Sequence, residues 1–332
     1  MASIRDIAKA AGVSPGTVSR ILNEDPALSV ADKTRQRVLK VAEEMAYQKA
    51  TRMNRQVQII TYASRRREMA DPFHRELRLA IETEIKRLNL TLKKTIRVES
   101  EMKKQDWTEV KKAGALLVIG NFSKTALETI YQYNPNMVVI NNPEVPDFID
   151  SVYSDLEKTM LKLLDRIIQK HQKAQITYFG GMREEMSLDG SITYNNDVRY
   201  QAYVQWCKSH DKTPDAHLVG WTREDGEQEI ESLSQLPDIV IAGNDMVAIG
   251  VIQGLQKNGK HIPSDVKVIG FNDLDVNQYV TPSLTSVQID NEQFGKSAVA
   301  MAEDRVKKVR SNALHTIVQT RLILRESYAE KE

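Results

Sequence analysis

Residues 3–23 read S-I-R-D-I-A-K-A-A-G-V-S-P-G-T-V-S-R-I-L-N, and capping signals alone divide them into two short helices. Ser3 followed three residues on by Asp6 has the form of a capping box. Ile7, Ala8 and Ala11 then share a face, and Gly12 supplies the left-handed residue that stops the helix. Ser14 can cap a second helix starting on Pro15, where the missing N–H costs nothing, and Val18, Ile21 and Leu22 recur at helical spacing. Two amphipathic helices joined by the turn Gly12-Val13 form a helix-turn-helix pattern, whose second helix enters the major groove of DNA. Turning the apolar set inward leaves Pro15, Gly16, Ser19, Arg20 and Asn23 outward. With Ser14 and Thr17 at the helix start, these make up the expected DNA-binding set, and Arg20 offers a guanidinium fork to guanine O6 and N7. The plain alternative is a capped helical pair serving a core, with Arg20 merely solvated, and spacing alone does not separate the two.

Working outward, Glu24 to Leu28 reads as a loop broken by Pro26, and Ser29 with Asp32 opens a third helix to about Met45, with Val38, Val41, Ala42 and Met45 on its apolar face. Residues 1–46 thus form an all-α headpiece and 47–56 a linker. From Val57 to the end, 57–332, the texture changes. Val57–Ala63, Ala115–Gly120, Met137–Ile140, Gln175–Gly180, Asp238–Gly243 and Val266–Phe271 are short apolar runs of the kind that form buried parallel strands. Amphipathic segments alternate with them at Phe73–Leu88, Leu156–His171, Asn196–His210, Asp245–Asn258 and Glu292–Lys308, which implies doubly wound α/β architecture, with length enough for two subdomains.

The net charge of +1 hides an asymmetry: residues 1–67 hold 13 Lys and Arg against 6 Asp and Glu, and the remainder 33 against 39. The positive charge therefore lies with the helix-turn-helix, where phosphates would meet it. Cys207 is the one cysteine, which excludes an intramolecular disulfide and suggests a reducing compartment, with the thiol buried. No apolar run is long enough for a membrane span and none stands at the N-terminus, so a cytoplasmic protein is expected. No P-loop, G-x-G-x-x-G after the first strand, H-E-x-x-H or nucleophile elbow occurs, and the histidines at 74, 171, 210, 217, 261 and 315 are scattered. No catalytic residue, cofactor or metal ligand is assigned.

Ile4 to Asn23 resembles the headpiece of the lactose and galactose repressor (LacI/GalR) family, whose pattern I-x-D-I-A-x-x-A-G-V-S-x-x-T-V-S-R-x-L-N it meets almost without exception. The resemblance implies a core of two subdomains like those of periplasmic sugar-binding proteins, joined by crossover strands. It implies double-stranded operator DNA and a small sugar effector as partners, and no enzyme. It also implies a hinge helix that wedges a leucine into the minor groove. Here the sequence departs from the pattern, with Lys49 and Ala50 for Pro-Asn and Gln56 for the leucine. Met53 is the substitute wedge; alternatively the segment is a basic linker in which Arg52 and Arg55 touch phosphates. Arg321–Ser327 resembles the family's closing strand, and Tyr328–Glu332 holds no heptads, so a homodimer on a palindromic site is expected.

Ligands of open α/β folds bind beyond the carboxyl ends of the strands. That rule picks Asn141-Asn142, Gly180–Arg183, Asn244-Asp245 and Asn272-Asp273, an inventory of amides and carboxylates suited to hydroxyls, with Trp221 as a stacking platform. The resemblance points to the same places and adds Arg199 and, in Asp71-Pro72-Phe73, a counterpart of the family's N-P-F. The expected ligand set is Phe73, Asn141, Arg199, Trp221, Asn244 and Asn272. Asp245 and Asp273 have helix capping as the alternative reading, Trp221 a core role, and Arg199 a structural ion pair. Arg65–Arg67 falls in a loop after the first strand, either solvated or facing a phosphorylated or acidic ligand, and Glu184-Glu185 reads as a solvated loop. The region Asp71–Leu92 and the Asn-Asp pair look nearest to galactose- and β-galactoside-responsive members. The alternatives are a cytosolic sugar-binding or sugar-processing protein without specific DNA binding, and a purine-responsive regulator in which Phe73 and Trp221 flank a flat base.

Overall fold

A computed structural model of the chain describes residues 2–45, 47 and 54–328. The chain divides into two compact units, Met1–Met53 and Asn54–Glu332, a boundary that falls within the 47–56 stretch.

The first unit is three helices, α1 (Ile4–Ala11), α2 (Pro15–Leu22) and α3 (Asp32–Glu44). Both halves of the capping box on α1 form: Asp6 N donates to Ser3 Oγ at 3.3 Å, and Ser3 N to Asp6 Oδ2 at 2.8 Å. Gly12 ends α1 at φ 64°, where a Cβ would be strained. Helix α3 begins later than its sequence suggests. Ala31 is its N-cap and no side chain caps it, because Ser29 stands two residues too far upstream; Asp32 in the first turn complements the helix dipole instead. Ile7, Ala8, Ala11, Val18, Ile21, Val38 and Ala42 form the core, with Tyr47 packed against it. Met45, expected on that apolar face, is exposed beyond the helix end. Each fully buried Val or Ile contributes about 1.5–3 kcal/mol, so seven buried side chains, three of them alanines, make a thin core.

Among the described residues the second unit holds two six-stranded sheets and a small two-stranded one. The first is built from β1 (Gln56–Thr61), β2 (Thr91–Arg97), β3 (Ala115–Ile119), β4 (Met137–Ile140) and β5 (Asp150–Tyr153). The helices between them are α4 (Arg65–Ala70), α5 (Pro72–Arg87), α6 (Lys104–Lys112) and α7 (Lys124–Tyr133). The second lobe follows with α8 (Leu156–Lys170), β6 (Ile176–Gly180), β7 (Arg183–Met186), β8 (Ile192–Asn195), α9 (Val198–Ser209), β9 (Ala216–Leu218), α10 (Arg223–Ser232), β10 (Ile239–Ala242), α11 (Asp245–Lys257), β11 (Lys267–Asn272) and β12 (Thr285–Gln288). The chain then returns to the first lobe for α12 (Asn291–Lys307) and β13 (His315–Ile317), and crosses back for β14 (Arg321–Ile323).

The sheet orders are β13-β5-β4-β3-β1-β2 and β14-β12-β11-β10-β6-β9. Pairing is parallel except for β14, which runs antiparallel to β12. Apolar runs become strands here because both faces are covered: Val57, Ile59 and Leu117 pack under α5 and α12, while Ile60, Leu116 and Val118 pack against α6 and α7. In the second lobe Tyr178, Ile241 and Phe271 face α8 and α9, and Phe179, Val240 and Val268 face α10 and α11. Three crossovers join the lobes, after β5, β12 and β13. In each sheet the strand order reverses beside the first strand of the lobe, at β1/β3 and β6/β10, which is where a ligand crevice forms.

The linker reading is corrected at its end. Gln56 opens β1, and Arg55, read as free for a phosphate, donates to the carbonyls of Leu88 at 2.6 Å and Asn89 at 3.1 Å. Lys49, Ala50, Arg52 and the wedge candidate Met53 lie outside the described residues.

Candidate functional site

In the headpiece, Ser14 Oγ accepts from Thr17 N at 3.1 Å and fixes the start of α2. Pro15, Gly16, Arg20 and Asn23 are exposed, whereas Thr17 and Ser19 are half-buried. Asn23 Nδ2 donates to Ser19 Oγ at 3.3 Å, so these two form one polar patch. A Cβ on Gly16 would meet only Ser14 Oγ, at 3.7 Å, which leaves the helix start open to close approach. Arg20 is not merely solvated. Its Nε donates to Asp25 Oδ2 at 2.7 Å, and this bond, with a second from the Ala27 N–H, holds the Asp25 carboxyl below the usual range.

The second unit encloses a cavity of about 500 Å³ between its lobes, and Phe73, Asn141, Arg199, Trp221, Asn244 and Asn272 all line it. Their commitments differ. Arg199 has five N–H groups; Nε and Nη2 bind Asp197 at 2.7 and 2.8 Å, and Nη1 donates to the Gly243 carbonyl. Its guanidinium lies 4.9 Å over the Trp221 ring and 5.7 Å from that of Phe271. The structural ion pair and the cavity wall are thus one object. Burial acts to raise the Asp197 carboxyl, but the Arg199 charge and hydrogen bonds outweigh it and hold the carboxyl below its ordinary value.

Asn244 is spent on the fold. Its Oδ1 caps α11 through Val247 N at 2.9 Å, and its Nδ2 donates to the Trp221 carbonyl at 3.0 Å and to Asp71 Oδ2 at 3.2 Å, the last across the lobes. Capping therefore falls to Asn244 rather than to Asp245. Phe73 is 4 % exposed and belongs to the first-lobe core, so it offers little face to a ring, and the pair of facing aromatics that a purine would want is not formed. Among the described residues, the amides of Asn121, Asn141 and Asn272 line the cavity without a hydrogen-bond partner. Asn141 and Asn272 sit at φ 62° and 113°, a backbone region that asparagine enters more readily than most residues.

Trp221 is held edge-on by Met182, whose carbonyl accepts from its Nε1 at 2.9 Å. It packs on Gly181 so closely that a Cβ there would lie 2.5 Å from Nε1. His74 and Tyr62 also line the cavity, 3.5 Å apart at Nε2 and Oη. Burial pushes the Tyr62 hydroxyl up to about 12 and, the largest of several opposing effects, lowers the His74 imidazole. Both are then neutral near pH 7, able to bond hydroxyl groups without charge.

Residues 3–49 match the profile described as bacterial regulatory proteins, lacI family, and residues 171–328 that of a periplasmic binding protein-like domain. The transcriptional regulator GalR of Streptococcus thermophilus is 30% identical over 98% of this chain and 99% of its own length. The chain belongs to the LacI family. The transcriptional repressor MelR of Bacillus subtilis is 28% identical, covering 98% of this chain and 97% of that protein. Among solved structures, the lac repressor dimer bound to operator and an anti-inducer superposes with a TM-score of 0.68 at 18% identity over 98% of both chains, which speaks for the fold. The relatives are transcription regulators. No helix among the described residues is long and apolar enough to cross a membrane, and no cluster of acidic, His or Cys side chains there is placed to hold a metal ion.

For this LacI-family regulator several sequence expectations need correction. Arg65–Arg67 is not a loop but the first turn of α4, capped by Ser64. Arg65 and Arg66 are exposed, while Arg67 is turned inward over Tyr62 at 4.9 Å and paired with Glu184. Glu184 and Glu185 lie in β7, paired with Arg67 and Arg183, and not in a solvated loop. Asn142 is fully buried in a turn, its Oδ1 accepting from Glu144 N at 2.9 Å. Asp245 is fully buried and does not line the cavity, bound by Ser286 Oγ at 2.6 Å and Leu274 N at 2.8 Å, and Asp273 pairs with Arg325 at 2.7 Å. Tyr62, His74 and Asn121 were missed. Tyr62 and Asn121 follow strands by the same rule that found the others, and His74 adjoins Phe73 in the N-P-F-like stretch.

Proposed function

We propose that this regulator is a repressor that binds a palindromic operator as a homodimer and is modulated by a small sugar, with galactose or a β-galactoside as the first candidate. What carries the reading is the pairing of two features in one chain. The headpiece leaves Pro15, Gly16, Arg20 and Asn23 exposed on α2. The core has a cavity in which three free amides, Asn121, Asn141 and Asn272, stand beside an indole. Amides donate and accept at once, as vicinal hydroxyls require, and the Trp221 ring suits the apolar face of a pyranose. A sugar that prefers one lobe arrangement shifts operator affinity by its differential binding to the two. The galactoside assignment draws on the resemblance of the Asp71–Leu92 region.

The test is titration of the full chain onto its own upstream intergenic DNA at two salt concentrations, with and without galactose and lactose, beside Arg20→Ala. Specific binding that weakens with salt and changes with sugar is expected. Arg20→Ala should lose roughly five- to a hundredfold in operator affinity while its response to sugar persists. Unchanged operator affinity in that variant would remove α2 as the reading helix.

A further inference from the structure

The chain leaves the second lobe at the end of β6, at Gly180-Gly181, and rejoins it at Asp197 to begin α9. In between, β7 and β8 pair antiparallel and are fastened to the other lobe. Met186 N donates to the Asn121 carbonyl at 2.9 Å, Ser123 N to that of Met186 at 3.0 Å, and Met102 N to that of Leu188 at 3.1 Å. Met186 is buried in the first-lobe core with Met102 and Phe122. The hairpin turn runs so close to Ser100 that a Cβ on Gly190 would sit 2.8 Å from its Cα. Two ion pairs add to this, Arg183 with Glu144 at 2.6 Å and Glu184 with Arg67. By sequence the hairpin belongs to the second lobe, but it packs as part of the first, and so forms a strap along the cleft.

Arg183 and Glu184, at the root of the strap, both line the cavity. Arg183 is 8% exposed, its Nη2 shared between Glu144 at 2.6 Å and Glu185 at 3.2 Å. The strap thereby gives the cavity a charged wall that strand ends alone do not supply. At about 500 Å³ the cavity has room for more than one pyranose ring.

We infer that the strap makes this cleft selective for a disaccharide: the Glu184 carboxylate, with the Arg67 and Arg183 guanidiniums, hydrogen-bonds hydroxyls of the ring beyond the one held by Asn121, Asn141 and Asn272. This rests on the sugar reading above. Carboxylate and guanidinium are charged partners for hydroxyls, and such bonds are stronger than neutral ones. Glu184→Gln keeps the shape and removes the charge.

Calorimetric titration of the full chain and of Glu184→Gln with galactose, glucose, lactose and melibiose tests it. The native protein should bind one of the two disaccharides at least tenfold more tightly than either monosaccharide. Glu184→Gln should lose about tenfold or more on that disaccharide and less than about twofold on the monosaccharide. A structural role for Glu184 would weaken both alike, and that result, or a native protein that binds a monosaccharide as tightly as either disaccharide, overturns the inference while leaving the sugar reading in place. A native protein that binds operator DNA but none of the four sugars overturns both.

Discussion

Arg20 in the headpiece and Arg199 in the cleft each bind a nearby carboxylate through Nε at 2.7 Å, Asp25 and Asp197 respectively, yet the two pairs do opposite work. The side chains of the first pair keep 48% and 31% of their surface, those of the second 11% and 7%. Water and salt screen the exposed pair, so Arg20 can exchange Asp25 for another acceptor at little cost. The buried pair has lost that option, since removing either partner strands a charge in a poorly solvated place. An arginine near an aspartate in sequence is therefore a movable, exposed group in one setting and scaffold in the other, and burial decides which.

The largest effect should come from breaking the buried pair. Arg199→Ala leaves Asp197 uncompensated and takes the cation from between the Trp221 and Phe271 rings, and should cost the core about 3–5 kcal/mol, read as a lower urea midpoint at unchanged slope. Loss of effector response in that variant would then reflect a collapsed wall as much as a lost contact. Arg199→Lys should recover little, because an ammonium cannot reproduce the two-pronged grip. A variant as stable as the native chain would mean that the pair is held by its surroundings, not the reverse.

Asp245 extends the comparison to a buried acid with no cation bound to it. Burial raises its carboxyl to about 7, against hydrogen bonds from Ser286, the Leu274 N–H and Asn277. In the unfolded chain the group titrates near 3.8, so between those values the folded state holds a proton that the unfolded state has released. Its contribution to stability is therefore greatest at acid pH, falls as pH rises through this window, and levels off above about 7. Asp245→Asn should remove the slope, the native chain losing roughly 1–3 kcal/mol relative to the variant between pH 5 and pH 8. Parallel pH profiles from urea titrations would show Asp245 to be ionised throughout.

How far these roles could be read from the sequence follows from the range of the forces involved. Capping and helical period are local, and they placed α1, α2 and their turn, and left Pro15, Gly16, Arg20 and Asn23 outward, although Ser19 is half-buried. The rule that ligands sit beyond strand ends placed Asn141, Asn244, Asn272 and Trp221 on the cavity wall. What it could not supply was which polar groups were already occupied. Asn244 is consumed by a cap and by Asp71, 173 residues away in the chain. Glu184 is drawn out of a supposed loop by Arg67, 117 residues away. Such commitments depend on long-range packing, on which a single sequence is silent.

The smallest effect expected is also the sharpest test of the exposed pair. Asp25→Asn keeps the turn, because an amide oxygen can still accept the Ala27 N–H that now reaches Asp25 Oδ1 at 2.9 Å. It removes a negative charge from beside the exposed side of α2 and loosens the hold on Arg20. If Asp25 competes with DNA for the guanidinium, operator affinity should rise, roughly two- to tenfold at low salt, with the gain shrinking as salt screens it. The gain should vanish in an Arg20→Ala background, since the carboxylate then has nothing to withhold, and this non-additivity is what a double-mutant cycle measures. If Asp25→Asn instead weakens operator binding, the carboxylate is orienting Arg20 toward its base and not competing with it, and the exposed pair is then preorganised as firmly, for its own purpose, as the buried one.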